Sequence, residues 1–452
     1  MPSHPHPLLD PDTFLWGAST SAFQIEGAPA ADWTTWKVKD AEDGAVRVRG
    51  VDHRARQDAD LGLLGEIGAN AYRYSIEWSR VVPARGEWDA AEVDRQVRVA
   101  RSLRERGIEP VVTLHHFTSP AWLGQEGLDW THEAFVSEFL RFATRMVEAL
   151  AGDVRIWVTL NEPNVHVGGG FLTGMTPPGK RGFRAAHLAL TNMLRAHARL
   201  YEVIHTDSPG PTAVGIAHNM LCFAPGRPDS RLDRWAARMA DRIYNDTLIE
   251  AFRTGAVALR AIPVIGQVTV LPLRGHLDFL GVNYYTRALV SFSPFDLRRY
   301  RYFWEDHPGR GLIETSWEVY PEGLSDVLQK AASLGLPLVI TENGAAEADD
   351  DRKVAFLREH VAQVARCRAE GMDVRGYFWW SLLDNYEWLR GLEPRFGLYH
   401  VDFNTLERTP TRAATAYTRL VEAGIGRIGI DMNTLPPQPH SNRTPARSGA
   451  IR

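Results

Sequence analysis

The chain has 452 residues, 44% of them hydrophobic and 23% charged, with a net charge of −4. This balance describes a globular protein with a large core and excludes the electrostatic footprint of a nucleic-acid partner. No run approaches the 18 apolar residues of a membrane span, and the opening MPSHPHPLLDPD lacks the apolar stretch of a signal peptide, so a cytoplasmic protein is expected.

Taken in chain order, short β-branched or aromatic runs fall at 13–18, 71–76, 110–115, 156–161, 213–217, 277–283, 338–342 and 374–379. Between them lie segments with helical spacing. Val93, Val97, Ala100 and Leu103 share one face of a helix that Gly107 would end, and Phe135, Phe139, Phe142 and Met146 share one face of the next. Val354, Leu357, Val361 and Val364 repeat the pattern, with Gly371 as the stop. The eight strands read as continuous apolar runs, as parallel strands covered on both faces do. Eight βα units in succession predict an α/β fold, a single (β/α)₈ barrel over residues 1–424 with long βα loops at its C-terminal face. A doubly wound sheet would call for a glycine-rich phosphate loop after an early strand, and none is present. Residues 286–318 form a long connection rich in arginine and aromatics, of the kind that often carries function. Residues 425–452 make a C-terminal extension whose composition predicts no fixed structure from about 435. Cys222 and Cys367 are expected to be free thiols, too few for a disulfide framework and wrongly spaced for zinc.

Two glutamates stand at strand ends, Glu162 in Thr159-Leu160-Asn161-Glu162-Pro163 and Glu342 in Ile340-Thr341-Glu342-Asn343-Gly344. On the barrel count they follow the fourth strand and end the seventh, which puts both on the C-terminal face where barrel active sites are built. Paired carboxyls there suit glycosidic-bond cleavage, one protonating the leaving oxygen and the other attacking or activating water. Gln24, Arg73, His115, His116, Asn283, Trp380, Glu387 and Trp388 fall in or after other strands. A ring of donors, acceptors and flat aromatics fits a polyhydroxylated ring with apolar C–H faces. The adjacent histidines raise a metal site, but no third ligand follows at a suitable spacing.

These residues occur in seven ordered blocks that resemble glycoside hydrolase family 1, the β-glucosidase-type family, over residues 12–423. The blocks are Phe14-Leu15-Trp16-Gly17-Ala18 through Gln24-Ile25-Glu26-Gly27, Arg73-Tyr74-Ser75-Ile76-Glu77-Trp78-Ser79-Arg80, Leu114-His115-His116-Phe117, the two glutamate blocks, Gly281-Val282-Asn283-Tyr284-Tyr285, and Trp380-Ser381-Leu382-Leu383-Asp384-Asn385-Tyr386-Glu387-Trp388. The resemblance implies a retaining exo-β-glycosidase without cofactor or metal, acting on a small glycoside. Glu162 would be the acid/base and Glu342 the nucleophile, with the carboxyls about 5–5.5 Å apart. Arg73 and Tyr285 would attend Glu342. Gln24, His116, Asn161 and Glu387 resemble the residues that hold the sugar's hydroxyls, Asn283 lies beside them, and Trp380 and Trp388 would wall the sugar. Members acting on 6-phosphorylated sugars replace the acidic residue at the position of Glu387, so its presence implies uncharged glucosides, galactosides or fucosides. Phe117-Thr118 and Phe171 depart from the family pattern. Together with Trp122, His166 and Trp317 they mark the expected aglycone side. The alternatives are a transglycosidase with a sugar or glycolipid acceptor, which would release little free sugar, and a non-catalytic sugar-binding barrel, whose mark would be a missing carboxylate.

Overall fold

The computed structural model describes residues 13–37, 44–262, 265–292 and 317–425. Eight parallel strands close into a barrel: β1 (Leu15–Ser19), β2 (Ala71–Ser75), β3 (Glu109–His115), β4 (Ile156–Asn161), β5 (Ala213–Asn219), β6 (Phe279–Asn283), β7 (Leu338–Asn343) and β8 (Val374–Trp380). Each pairs with its neighbours in sequence, and β8 closes onto β1 with Leu15 opposite Gly376 and Ser19 opposite Trp380. The (β/α)₈ barrel read from the sequence is the fold observed.

The interior is packed. Leu15, Val111, Ile156, Val158, Phe279, Val339 and Phe378 form one buried cluster with the alanines of β2 and β5. Large rings enter where a facing strand offers none: a Cβ on Gly215 would lie 2.5 Å from the Phe279 ring. Outside the barrel, helix Glu133–Leu150 buries Phe135, Phe139, Phe142 and Met146, the face its spacing predicts. Each such side chain contributes about 1.5–3 kcal/mol of burial. Helix Ala90–Glu105 starts at Asp89, whose carboxylate accepts from the Glu92 amide, and helix Asp350–Ala369 starts at Asp349, which accepts from Asp351 and Arg352. Gly107 and Gly371, just past these helices, have φ of 75° and 91°, the left-handed conformation that ends a helix.

The register brings the chemistry to one rim. Ser19 lies opposite Arg73, Asn161 opposite Ala217, Asn219 opposite Asn283, and Asn283 opposite Glu342. Most strand boundaries differ from the sequence reading by one or two residues. β5 runs two residues further, to Asn219, and β6 begins at Phe279, just after Asp278, whose carboxylate takes the Val214 amide of β5 at 2.8 Å. The β5–β6 connection also holds an unpredicted antiparallel pair, Ala256–Ile262 with Ile265–Val270. Of the arginine-rich connection, residues 293–316 lie outside the described residues, as do 426–452 of the extension. Its described start, Arg287–Val290, pairs with Cys222–Pro225. Among the described residues no helix is long and apolar enough to cross a membrane.

Candidate active site

β4 leaves the barrel through Glu162, whose φ of 45° is left-handed and costs about 1–3 kcal/mol for a residue with a side chain. Pro163 then opens the helix Pro163–Val167, with its ring at a position where no amide is needed. The Glu162 amide donates to Ala217 O on β5 at 2.8 Å, which anchors the strained turn. Glu342 is mounted differently, inside β7. Thr341 donates to Asn283 Oδ1 at 2.6 Å, Asn343 to Tyr284 O at 2.7 Å, and the Tyr377 hydroxyl to Asn343 Oδ1 at 2.8 Å. A Cβ on Gly344 would run into the Trp380 carbonyl, so glycine lets β7 leave the barrel with its backbone against that of β8.

The two carboxyls line one cavity of about 510 Å³, together with His116, Asn161, Tyr285, Trp380, Glu387 and Trp388. Such a volume suits a small ligand. Arg73 is fully buried and donates from Nη1 to Glu342 Oε1 at 2.5 Å and from Nη2 to Asn161 Oδ1 at 2.6 Å. Tyr285 donates to Glu342 Oε2 at 2.6 Å. Both oxygens of Glu342 are thus bound, one of them by a buried cation. Among the described residues no cation lies at hydrogen-bond distance from Glu162. Its Oε1 accepts from Asn283 Nδ2 and Asn219 Nδ2, each at 2.8 Å. Burial, reinforced by the charge of Glu342, pushes the Glu162 carboxyl up to about 7 against the pull of these amides and of Arg73. One carboxyl is ion-paired and the other holds a proton to neutrality, the division of labour that acid/base and nucleophilic roles require.

The groups expected to hold a sugar are adjacent. His116 Nε2 lies 3.1 Å from Asn161 Nδ2, and its Nδ1 has no partner among the described residues. Burial and the nearby Arg73 keep this imidazole neutral, with its pKa well below the usual histidine range. Trp380 Nε1 donates to Glu387 Oε1 at 3.2 Å, and burial pushes that carboxyl up to about 8. The Trp380 and Trp388 rings both lie nearly parallel to His116, at 19° and 13°. Gln24, Arg73 and Asn283 stand immediately behind the lining: Arg73 and Asn283 donate to Glu342 and Glu162, and Gln24 pulls against the upward shift of Glu387. Gln24 is itself held by Ser21, Asn385 and Tyr386 O.

Of the residues expected on the aglycone side, Phe117 and Trp317 line the cavity, and Thr118, Trp122, His166 and Phe171 do not. Trp122 is buried with its indole donating to Val82 O at 3.2 Å. His166 stacks against the back of Phe117 at 10°, and Phe171 is fully buried beside it. His166 and Phe171 line a separate cavity of about 320 Å³. Phe117, a departure from the family pattern, forms the cavity wall in front of them. Sequence reading missed Asn219, which donates to Glu162, and Tyr244, whose hydroxyl donates to Asn219 Oδ1 at 2.6 Å. The signal for Asn219 was its place at a strand end. Among the described residues no group of three or more metal-ligating side chains converges on a point.

Residues 9–424 match the model of Glycosyl hydrolase family 1. The chain is 32% identical to Beta-glucosidase A of Thermotoga maritima over 91% of this chain and 97% of that one. It is 30% identical to a Beta-galactosidase of Pyrococcus woesei over 92% and 97%. Among solved structures it superposes on a beta-glycosidase from Pyrococcus horikoshii with a TM-score of 0.82 at 36% identity, covering 92% of this chain and 94% of that one. A barrel with its two strand-end carboxyls on one cavity and a family match spanning that whole barrel lead to one conclusion: the chain belongs to glycosyl hydrolase family 1 and is a glycoside hydrolase.

Proposed function

We propose that this enzyme removes single β-linked, unphosphorylated sugars (glucose, galactose or fucose) from the non-reducing end of a glycoside, with retention of configuration. The observation that carries the reading is the unequal setting of the two carboxyls, Glu342 paired with Arg73 and Glu162 held up to about 7. In the first step the Glu342 carboxylate bonds to the anomeric carbon while Glu162 gives its proton to the glycosidic oxygen, and the aglycone leaves. In the second step Glu162, now a carboxylate, takes a proton from water. The water oxygen bonds to the same carbon and Glu342 is released. Loss of charge on Glu342 in the intermediate removes one of the causes that raise Glu162, so the acid becomes a usable base. His116, Asn161 and Glu387 meet the sugar hydroxyls, and Trp380 and Trp388 supply flat walls. A cytoplasmic location and a small-molecule glycoside as substrate belong to the same reading.

The absence of phosphate from the substrate has its own support. Among the described residues no lysine or arginine lines the cavity, and Glu387 offers a carboxyl where a phosphate would need cations. A panel of nitrophenyl β-glycosides tests the proposal. The glucoside, galactoside or fucoside should be cleaved with kcat/KM at least ~10³-fold above that of the matching 6-phosphate, the scale of a buried charge left unpaired. Preference for the 6-phosphate, or cleavage of α-anomers alone, would overturn the reading.

A further inference from the structure

The cavity is chemically divided. On the β8 and β1 side, Trp380 and Glu387 line it with Gln24 behind them. β4 and β5 stand across the barrel from that side. There the wall continues past Glu162 as Val165, Leu172, Leu221, Ile243, Leu248 and Leu259. Four of these come from the β5–β6 connection, Leu259 from the unpredicted antiparallel pair. Most of the polar side chains among them are already engaged. The Asn219 amide donates to Glu162 and accepts from Tyr244, and Asn164 donates to Asn219 O and faces His218. The hydroxyls of Thr173 and Thr247 donate to Gly168 O and Arg242 O. The apolar path continues outward, because Met175 also lines the cavity and is 62% exposed.

Glu162 protonates the leaving oxygen, so the leaving group lies on its side of the cavity. Among the described residues a second sugar there would find few free partners for the several hydroxyls that give up water, each unmatched hydroxyl weakening binding roughly tenfold or more. A hydrocarbon chain loses nothing of the kind, and each buried methylene strengthens binding about threefold to fourfold. We propose that the preferred aglycone is aliphatic and sugar-free, an alkyl or prenyl alcohol joined to the sugar at its hydroxyl. This rests on the reading of Glu162 as the acid and on the hydrolytic function proposed above.

The test uses the full chain with methyl, butyl, hexyl and octyl β-glycosides of whichever sugar the nitrophenyl panel selects, all below their micelle concentrations, beside the β-1,4-disaccharide that carries the same terminal sugar on glucose. kcat/KM should rise about threefold per methylene from butyl to hexyl. The hexyl glycoside should exceed the disaccharide by at least ~30-fold, the product of more than one unmatched hydroxyl. Leu172→Asn and Ile243→Asn should flatten the chain-length dependence, a slope measured within each variant and so independent of how much of it is folded. A flat series in the unaltered enzyme, or a disaccharide cleaved as well as the hexyl glycoside, overturns the inference while leaving the function intact. If the nitrophenyl glycosides are not cleaved either, the function fails and takes the inference with it.

Discussion

Glu342→Gln is expected to remove turnover of every glycoside, activated or not, lowering kcat on the order of 10⁴-fold or more, as loss of a nucleophile does. The amide matches the carboxylate in size and still accepts from Tyr285 through its oxygen. It cannot form the glycosyl ester, and it leaves the fully buried Arg73 facing a neutral group. Breaking such a pair costs about 3–5 kcal/mol of stability. A circular dichroism melt must therefore accompany the assay, with the variant folded at the assay temperature and inactive. The variant also exposes the coupling between the carboxyls. The charge of Glu342 raises Glu162, so its removal should lower the Glu162 pKa from about 7, which titration followed by NMR of labelled glutamate would read.

Glu162→Gln should act selectively. For an alkyl glycoside the departing alkoxide needs a proton, and its cleavage should fall by about 10²–10⁴-fold, the usual worth of general acid catalysis. A dinitrophenolate leaves without help, so formation of the glycosyl-enzyme from a dinitrophenyl glycoside should be nearly spared. Its breakdown should be slow because no base remains. Azide, which attacks without losing a proton, should restore turnover and yield the β-glycosyl azide. Equal damage to both substrates would reverse the two assignments. The pH dependence follows from the same residue. Protonated Glu162 is the active form in the first step, so kcat/KM of the unaltered enzyme for an alkyl glycoside should fall as pH rises through about 7. In Glu162→Gln that limb should vanish, since the amide does not titrate near neutrality.

Much of the scaffold was legible because parallel strands covered on both faces must be apolar throughout, and turn residues bracket them. Ile156–Asn161 is buried at every position, and all eight barrel strands were found on this signal. The carboxyls were legible because the same rule makes a charge at a strand end an exception. Where that rule weakens, reading weakened too. β5 ends in His218 and Asn219, polar residues that look like a turn, so the amide holding Glu162 was lost from view. Tyr244 reaches it from an irregular helical segment, Arg242–Asp246, with no strand to announce it. The pair Ala256–Ile262 and Ile265–Val270 carries Pro263 between its strands, which reads as a break. Trp122, His166 and Phe171 show a different limit. A ring at the barrel mouth can face the cavity or pack behind it, and both choices bury it. Here Phe117, with a left-handed φ of 71°, takes the front position with His166 and Phe171 packed behind it, while the Trp122 indole turns to Val82 O.

The central claim is that Glu342 becomes covalently bonded to the sugar. A dinitrophenyl 2-deoxy-2-fluoro-β-glycoside of the preferred sugar enters the first step through its good leaving group. Its fluorine slows both steps by destabilising the oxocarbenium-like transition state, so the intermediate accumulates. Digestion and mass spectrometry of the inactivated enzyme should find one fluorosugar per chain, on the peptide and the residue Glu342. A label on Glu162, or steady turnover with no adduct and a product of inverted configuration, would contradict the account.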